Sequence, residues 1–287
     1  MAIEKQYEVL SWAFSFLKKY NREEKVAEIL LQHHLQVARS HFYTMMQEEV
    51  PLVVQEKFKA DVKEHAFTGV PVQHLTGYEY FYGRRFQVNQ HVLIPRPETE
   101  ELVEHVIQQV RKKCFPSPIT IVDIGTGSGV IAITLALELS NAIIYATDIS
   151  TTALQMAKKN AEIHQASVHF SQGDFLRPIC EQRINPHIIV SNPPYIKEAD
   201  KEGLLDTVKN YDPAIALFAN RNGLEAYEKI ISQTKKLEEF GERLLCFEIG
   251  YDQATAVTSL INQQFPYSEI KTIKDINNRD RIISAQL

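Results

Sequence analysis

Asn192-Pro193-Pro194-Tyr195 closes an apolar run, His187-Ile188-Ile189-Val190-Ser191, whose length and composition predict a buried strand. Each proline removes a backbone N–H, fixes its own φ and drives the preceding residue towards extended geometry. The carbonyls at this exit therefore cannot be absorbed into a continuing helix or ladder, and they stay available to a ligand. Asn192 adds a side-chain acceptor, and Tyr195 adds an aromatic face against which a flat group can pack. Asn192, Pro193, Pro194 and Tyr195 thus suit the presentation of a planar amine or amide, with Asn192, Pro193 and Tyr195 the residues on which its chemistry would rest. That chemistry is transfer of a methyl group onto nitrogen.

A second motif lies upstream. Ile119-Thr120-Ile121-Val122-Asp123-Ile124 reads as a buried strand, followed by Gly125-Thr126-Gly127-Ser128-Gly129 and an apolar helical run from Val130 to Leu139. Glycines permit a tight turn and a close ligand approach, and the first helical turn offers unpaired N–H groups and a partial positive charge. A dinucleotide fingerprint would place a third glycine at position 130, which is valine here, so the spacing argues against a pyrophosphate ligand. The next strand, Ala142 to Thr147, ends at Asp148, an acceptor for ribose hydroxyls. Another, Ser167 to Gln172, leads to Gly173-Asp174-Phe175, an acid and a ring suited to an adenine amine and its face.

Taken singly, each motif has a plainer reading: a tight turn, a helix cap, a proline-stiffened strand exit. Four such loops after successive strands of one open sheet form a single ligand edge. Gly125 to Gly129, Asp148, Asp174, Phe175 and Asn192 then describe a site for S-adenosylmethionine beside an amine-bearing substrate.

The elements that must position these residues fall into two regions. Residues 1–77 read as a small helical domain, with Ile3, Tyr7, Leu10, Phe14 and Leu17 on one face and Val26, Ile29, Leu30 and Val37 on another. Asn21 followed by Glu24 resembles a capping box, and Pro51 opens a helix towards Phe67. Residues 78–95 predict a hairpin connector turning near Gly83, rich in aromatic side chains that suit interdomain packing. Residues 96–287 form the main domain. Its helices are expected over 97–113, 151–164, 223–239 and 252–264, and a closing antiparallel pair over 268–274 and 279–285.

Composition excludes several classes. The 287 residues, 44% hydrophobic, can bury one large or two ordinary cores, and the net charge of −5 with no long basic run disfavours nucleic acid as a partner. Cys114, Cys180 and Cys246 stand singly, without zinc spacing or disulfide pairing, which fits a reducing cytoplasm. The dispersed histidines suggest no metal site. No export signal and no membrane span is visible.

The chain also resembles a known family, the release-factor glutamine methyltransferases of the HemK/PrmC type. The resemblance rests on Pro71-Val72-Gln73-His74-Leu75-Thr76-Gly77, Ile94-Pro95-Arg96-Pro97-Glu98-Thr99-Glu100, Asp123 to Gly129 and Asn192-Pro193-Pro194-Tyr195-Ile196. Gly223-Leu224-Glu225-Ala226-Tyr227 and Lys274 to Arg281 are similar to its late motifs. His74 stands where the family often has Tyr, Phe175 where some members have Trp, and Tyr211 to Asn222 lack the usual Glu-Pro and glycine pair. The resemblance implies the class I S-adenosylmethionine-dependent methyltransferase fold: a Rossmann-like, mostly parallel seven-stranded sheet behind the helical domain and the β-hairpin connector. It also implies transfer to the N5 amide nitrogen of the glutamine in the Gly-Gly-Gln tripeptide of class 1 peptide-chain release factors, leaving S-adenosylhomocysteine. From the residues alone an exocyclic amine of DNA adenine or cytosine stays open, although such an enzyme must flip its base and neutralise phosphates.

Overall fold

A computed structural model gives the fold and describes residues 3–113, 115–237 and 242–287; Cys114 and the expected helix end at Glu239 lie outside them. The chain divides into two compact units, residues 1–78 with 205–211, and residues 79–204 with 212–287. Residues 205–211 thus cluster with the first unit although the sequence places them inside the 96–287 span. Residues 79–95 cluster with the second unit.

The second unit is built on seven strands: β1 (Ile119–Ile124), β2 (Ala142–Asp148), β3 (Val168–Gln172), β4 (Ile188–Ser191), β5 (Leu244–Glu248), β6 (Glu269–Lys274) and β7 (Asp280–Gln286). They lie in the order β6-β7-β5-β4-β1-β2-β3. The pairs from β5 through β4, β1 and β2 to β3 are parallel, and β7 pairs antiparallel with both β5 and β6. The mostly parallel sheet and its closing antiparallel pair are those the sequence predicts.

Both faces of this sheet are covered, which is why β1, β4 and β5 read as continuous apolar runs rather than alternating ones. Ile119 and Ile121 of β1 pack into one core with Ile188 and Val190 of β4 and with Leu102, Val106 and Ile107 from the helix Pro97–Lys112. Val122, Ile124, Ile189, Leu245 and Phe247 face the other, against helices Glu225–Thr234 and Ala254–Gln264. Two strands, Tyr78–Phe81 and Arg84–Gln87, form the expected hairpin, and Phe81 and Phe86 sink into the first of these cores.

Residues 196–223 carry no clear periodicity and fold as short pieces. Ile196–Lys197 pairs in parallel with Phe218–Ala219, which folds the segment back beside the exit of β4.

The first unit has its own core, where Leu17, Leu30, Phe42, Phe58 and Val62 are fully buried. Three expectations need correction. The buried stripe of the helix Gln6–Lys19 is Gln6, Val9, Leu10, Ala13 and Leu17, while Ile3 and Tyr7 are exposed, so the true stripe keeps Leu10 and Leu17 but is rotated away from Ile3 and Tyr7. In the helix Lys25–Leu35, Val26 and Leu30 are buried, but Ile29 is exposed and Val37 lies beyond the end. Nor does Asn21 cap that helix. Glu24 is its N-cap and is itself in helical geometry, while Asn21 turns through a left-handed φ of 55°. The reciprocal acid occurs one helix earlier, where the Lys5 backbone N–H donates to Glu8 Oε2 at 2.8 Å. No described helix is long and apolar enough to cross a membrane.

Candidate active site

Parallel registry decides where the motifs meet. Because β4, β1, β2 and β3 are neighbours running the same way, with Ile124 opposite both Thr147 and Ser191, and Asp148 opposite Gln172, their four exits share one edge. A cleft of about 260 Å³ opens there. Gly125, Gly127, Asp148, Asp174, Phe175, Asn192 and Pro194 all line it.

The glycine turn is held by backbone and carboxylate bonds. The N–H groups of Gly125 and Thr126 donate to the Thr147 carbonyl at 2.8 and 3.0 Å, and Gly127 N–H donates to Asp148 Oδ2 at 2.9 Å. Asp148 Oδ1 accepts from Ser150 N–H at 2.9 Å, so one side chain ties the turn to the β2 exit. Burial pushes its ionisation up while these N–H groups oppose the shift. Behind the turn, Asp123 is fully buried: Oδ2 accepts from Thr126 Oγ1 at 2.6 Å and Ala132 N–H at 3.2 Å, while Oδ1 has no partner. Loss of solvent pushes this carboxyl up to about 7.

Thr126 and Ser128 are both buried: the Thr126 hydroxyl holds Asp123, and the Ser128 backbone carbonyl accepts from Asn160 Nδ2 at 2.8 Å. Gly129 is the N-cap of the helix Val130–Glu138. None of the three lines the cleft, so they shape the turn, whereas Gly125 and Gly127 face open space where a Cβ would stand.

At the β4 exit, Asn192 Nδ2 donates to Thr99 Oγ1 at 3.1 Å, and Thr99 Oγ1 donates to Glu248 Oε2 at 2.7 Å. Pro193 is buried, and Pro194 rather than Pro193 lines the cleft. Tyr195 packs against the second core of the sheet, and burial followed by the nearby Glu248 pushes its phenol up to about 12, so it stays protonated. Its carbonyl accepts from Gln253 Nε2 at 3.0 Å, and a Cβ on Gly223, at φ 82°, would stand 2.1 Å from that same oxygen. Arg96, at the start of the helix Pro97–Lys112, donates to Asp212 Oδ2 at 2.6 Å rather than pairing with Glu98. This bond fixes the start of the segment whose Pro213, Ala216 and Phe218 also line the cleft.

Sequence reasoning missed Thr99, Glu248, Gln253 and the wall from Pro213 to Ala219. Thr99 and Glu225 lie within motifs noted for resemblance alone; Glu248 ends an apolar strand, and a lone acid there was the available signal.

The chemistry of the lining tests which cofactor it suits. Asp148, Asp174 and Glu225 line the cleft against one cation, Lys229, which is paired to Glu225 at 3.0 Å. An anionic lining beside glycines that allow close approach fits a cationic sulfonium nucleoside and repels a pyrophosphate. S-adenosylmethionine fits these residues. Among the described residues no group of His, Cys, Asp or Glu is placed to hold a metal ion.

Comparison with known proteins gives matches over both units. The family model described as PrmC N-terminal domain matches residues 8–77, and that described as Methyltransferase small domain matches residues 99–208. The chain is 40% identical over 281 residues to the release factor glutamine methyltransferase of Bacillus cereus, covering 98% of this chain and 99% of that one. It is 42% identical over 280 residues to the enzyme of the same name from Bacillus subtilis, covering 97% and 96%. Among solved structures, the delta-N METTL16 MTase domain is similar in fold, with a TM-score of 0.52 at 19% identity over 71% of this chain and 89% of that one.

Proposed function

We propose, since the chain belongs to the family of release factor glutamine methyltransferases, that it transfers a methyl group from S-adenosylmethionine to the N5 amide nitrogen of the glutamine in the Gly-Gly-Gln tripeptide of class 1 peptide-chain release factors. The observation that carries this reading is that Asn192 and Asp148 open into one cleft, so the amide-orienting group and the ribose-binding group serve a single reaction.

When bound, the cofactor supplies a methyl group activated by a sulfonium leaving group. The chain's own residues do the rest. Gly125 and Gly127 admit the cofactor closely, Asp148 accepts from its ribose hydroxyls, and Asp174 and Phe175 meet the adenine amine and ring. A glutamine amide nitrogen is a feeble nucleophile, because its lone pair is delocalised into the carbonyl. Asn192 Oδ1 and the Pro193 carbonyl each accept one amide hydrogen and so hold the nitrogen in place, while Tyr195, packed against the second core of the sheet, supports this strand exit from behind. Positioning of this kind can lower a barrier by up to about 7–11 kcal/mol in favourable systems. Because the Tyr195 phenol stays protonated, it is not the base; the nitrogen, made acidic by alkylation, loses its proton to solvent.

The helical unit grips the protein substrate, a role consistent with its match to a model named for this family's N-terminal domain. The cytoplasm, where release factors work, is the matching location. The test is transfer of labelled methyl to a purified class 1 release factor, to its Gln→Ala variant in Gly-Gly-Gln, and to duplex DNA. Label on the native factor alone is expected; label on DNA alone would replace this reading with a nucleobase amino methyltransferase.

A further inference from the structure

We propose that Thr99 and Glu248 are positioning residues which fix the side-chain amide of Asn192 with its oxygen, and not its nitrogen, turned to the substrate. The inference rests on the function proposed above. An asparagine amide is nearly symmetric in shape, yet only its oxygen can accept a hydrogen from a substrate amide; flipped by half a turn, it would present two donors to a group that needs an acceptor.

The geometry removes that ambiguity through a chain of two hydrogen bonds. Glu248 ends β5 with 1% of its surface exposed, and its Oε2 lies 2.7 Å from Thr99 Oγ1. An ionised carboxylate only accepts, so Thr99 must donate to it. A hydroxyl has one proton. With that proton spent on Glu248, Thr99 can only accept from Asn192, which therefore turns its NH₂ group to Thr99 at 3.1 Å and its oxygen away. Thr99 is itself 3% exposed and lies on the first turn of the helix Pro97–Lys112, whose backbone holds it in place through its N–H bond to the Arg96 carbonyl at 3.1 Å. Neither Thr99 nor Glu248 lines the cleft, so both act through Asn192.

A buried acid beside a strand of apolar residues is costly unless hydrogen-bonded, and its retention here matches a task that an apolar residue could not perform. Valine at position 99 has the shape of threonine without the hydroxyl, and would leave Asn192 free to present either edge.

The experiment compares wild type, Thr99→Val and Thr99→Ser in methyl transfer to a class 1 release factor, with kcat and KM for the factor, S-adenosylmethionine affinity by calorimetry and thermal midpoint read for each. Thr99→Val should lose kcat by up to about 100-fold with cofactor affinity unchanged, and Thr99→Ser, which restores the hydroxyl, should recover most of it. A Thr99→Val enzyme as fast as wild type would overturn the proposal. So would equal losses in both variants accompanied by weakened cofactor binding, the mark of a merely structural role. A wild type that leaves the factor unlabelled would instead sink the function on which the relay rests, so the two failures read differently.

Discussion

At the residue scale the site works by fixing acceptors. Asn192→Ala should lower kcat by about 100-fold or more while leaving S-adenosylmethionine affinity near wild type, and Asp148→Ala should weaken the cofactor itself; calorimetry and steady-state kinetics on the two variants separate the roles. The pH dependence follows from Glu248, whose complete burial pushes it up to about 7, opposed by its bond from Thr99 and by Arg281 and Arg96, and assisted by Glu98. The groups facing it are thus Arg96 and Glu98 at the start of the helix Pro97–Lys112, Arg281 on β7, and the phenols of Tyr195 and Tyr227. Protonation lets Glu248 donate to Thr99 and releases Asn192 from its one orientation. kcat should therefore fall as pH drops through about 7.

Stability runs the other way. A carboxyl whose folded value lies above its unfolded value binds its proton more tightly when folded, so its contribution is present at low pH and is lost as pH rises from the ordinary carboxylate range through about 7. Thermal midpoints of wild type relative to Glu248→Gln should consequently decline between about pH 5 and about pH 8. Asn192 and Asp148 were legible because each closes an apolar strand. The relay was not, since Asn192 lies 93 residues from Thr99, and Thr99 lies 149 from Glu248, and only folding makes them neighbours.

At the scale of elements, the exit of β4 is fixed from outside the strand. Gln253 Nε2 holds the Tyr195 carbonyl while its Oε1 accepts from Gly250 N–H at 3.0 Å, and Gly223 leaves room for that carbonyl only because it has no side chain. Gly223→Ala would cost about 1–2 kcal/mol for the left-handed backbone alone, and the contact at 2.1 Å must then be relieved by moving Tyr195. Denaturant unfolding should register the loss, and turnover should fall with it. The strands of the sheet were readable because β1, β4 and β5 are buried on both faces and so carry unbroken apolar runs. The helix Gln6–Lys19 misled because Ile3 and Tyr7, large and apolar in type, stay exposed, while the polar Gln6 is buried through its bond to the Phe42 carbonyl at 2.9 Å. Periodicity ranks side chains by polarity and has no means of seeing that bond. Residues 196–223 escaped for a different reason, being held by single contacts rather than by a repeating face.

For the whole molecule, two units are stitched by one chain that visits the first unit twice. Within that unit the returning segment 205–211 is clasped by a forked pair, Arg22 Nη1 and Nη2 donating to Asp206 Oδ1 and Oδ2 at 2.8 and 2.7 Å, and by Tyr211 Oη donating to the Thr68 carbonyl at 2.9 Å. The Arg22 hydrogen bond holds the Asp206 carboxyl below its ordinary value, but nearly half of that side chain is exposed, so the pair contributes no more than about 1 kcal/mol. Arg22→Ala should thus leave the global thermal midpoint little changed while exposing 205–211 to limited proteolysis. No periodicity could have announced this return, because the clasp joins residues 184 apart.

The measurement closest to the central claim is tandem mass spectrometry of a class 1 release factor after incubation with the protein and S-adenosylmethionine, with the added methyl located by fragmentation. A single methyl on the side-chain nitrogen of the Gly-Gly-Gln glutamine, absent with Asn192→Ala, is the predicted result. A methyl on a carboxylate, on a lysine or on any other residue, or an Asn192→Ala enzyme that modifies the glutamine as readily as wild type, would contradict the account of a cleft built to orient an amide.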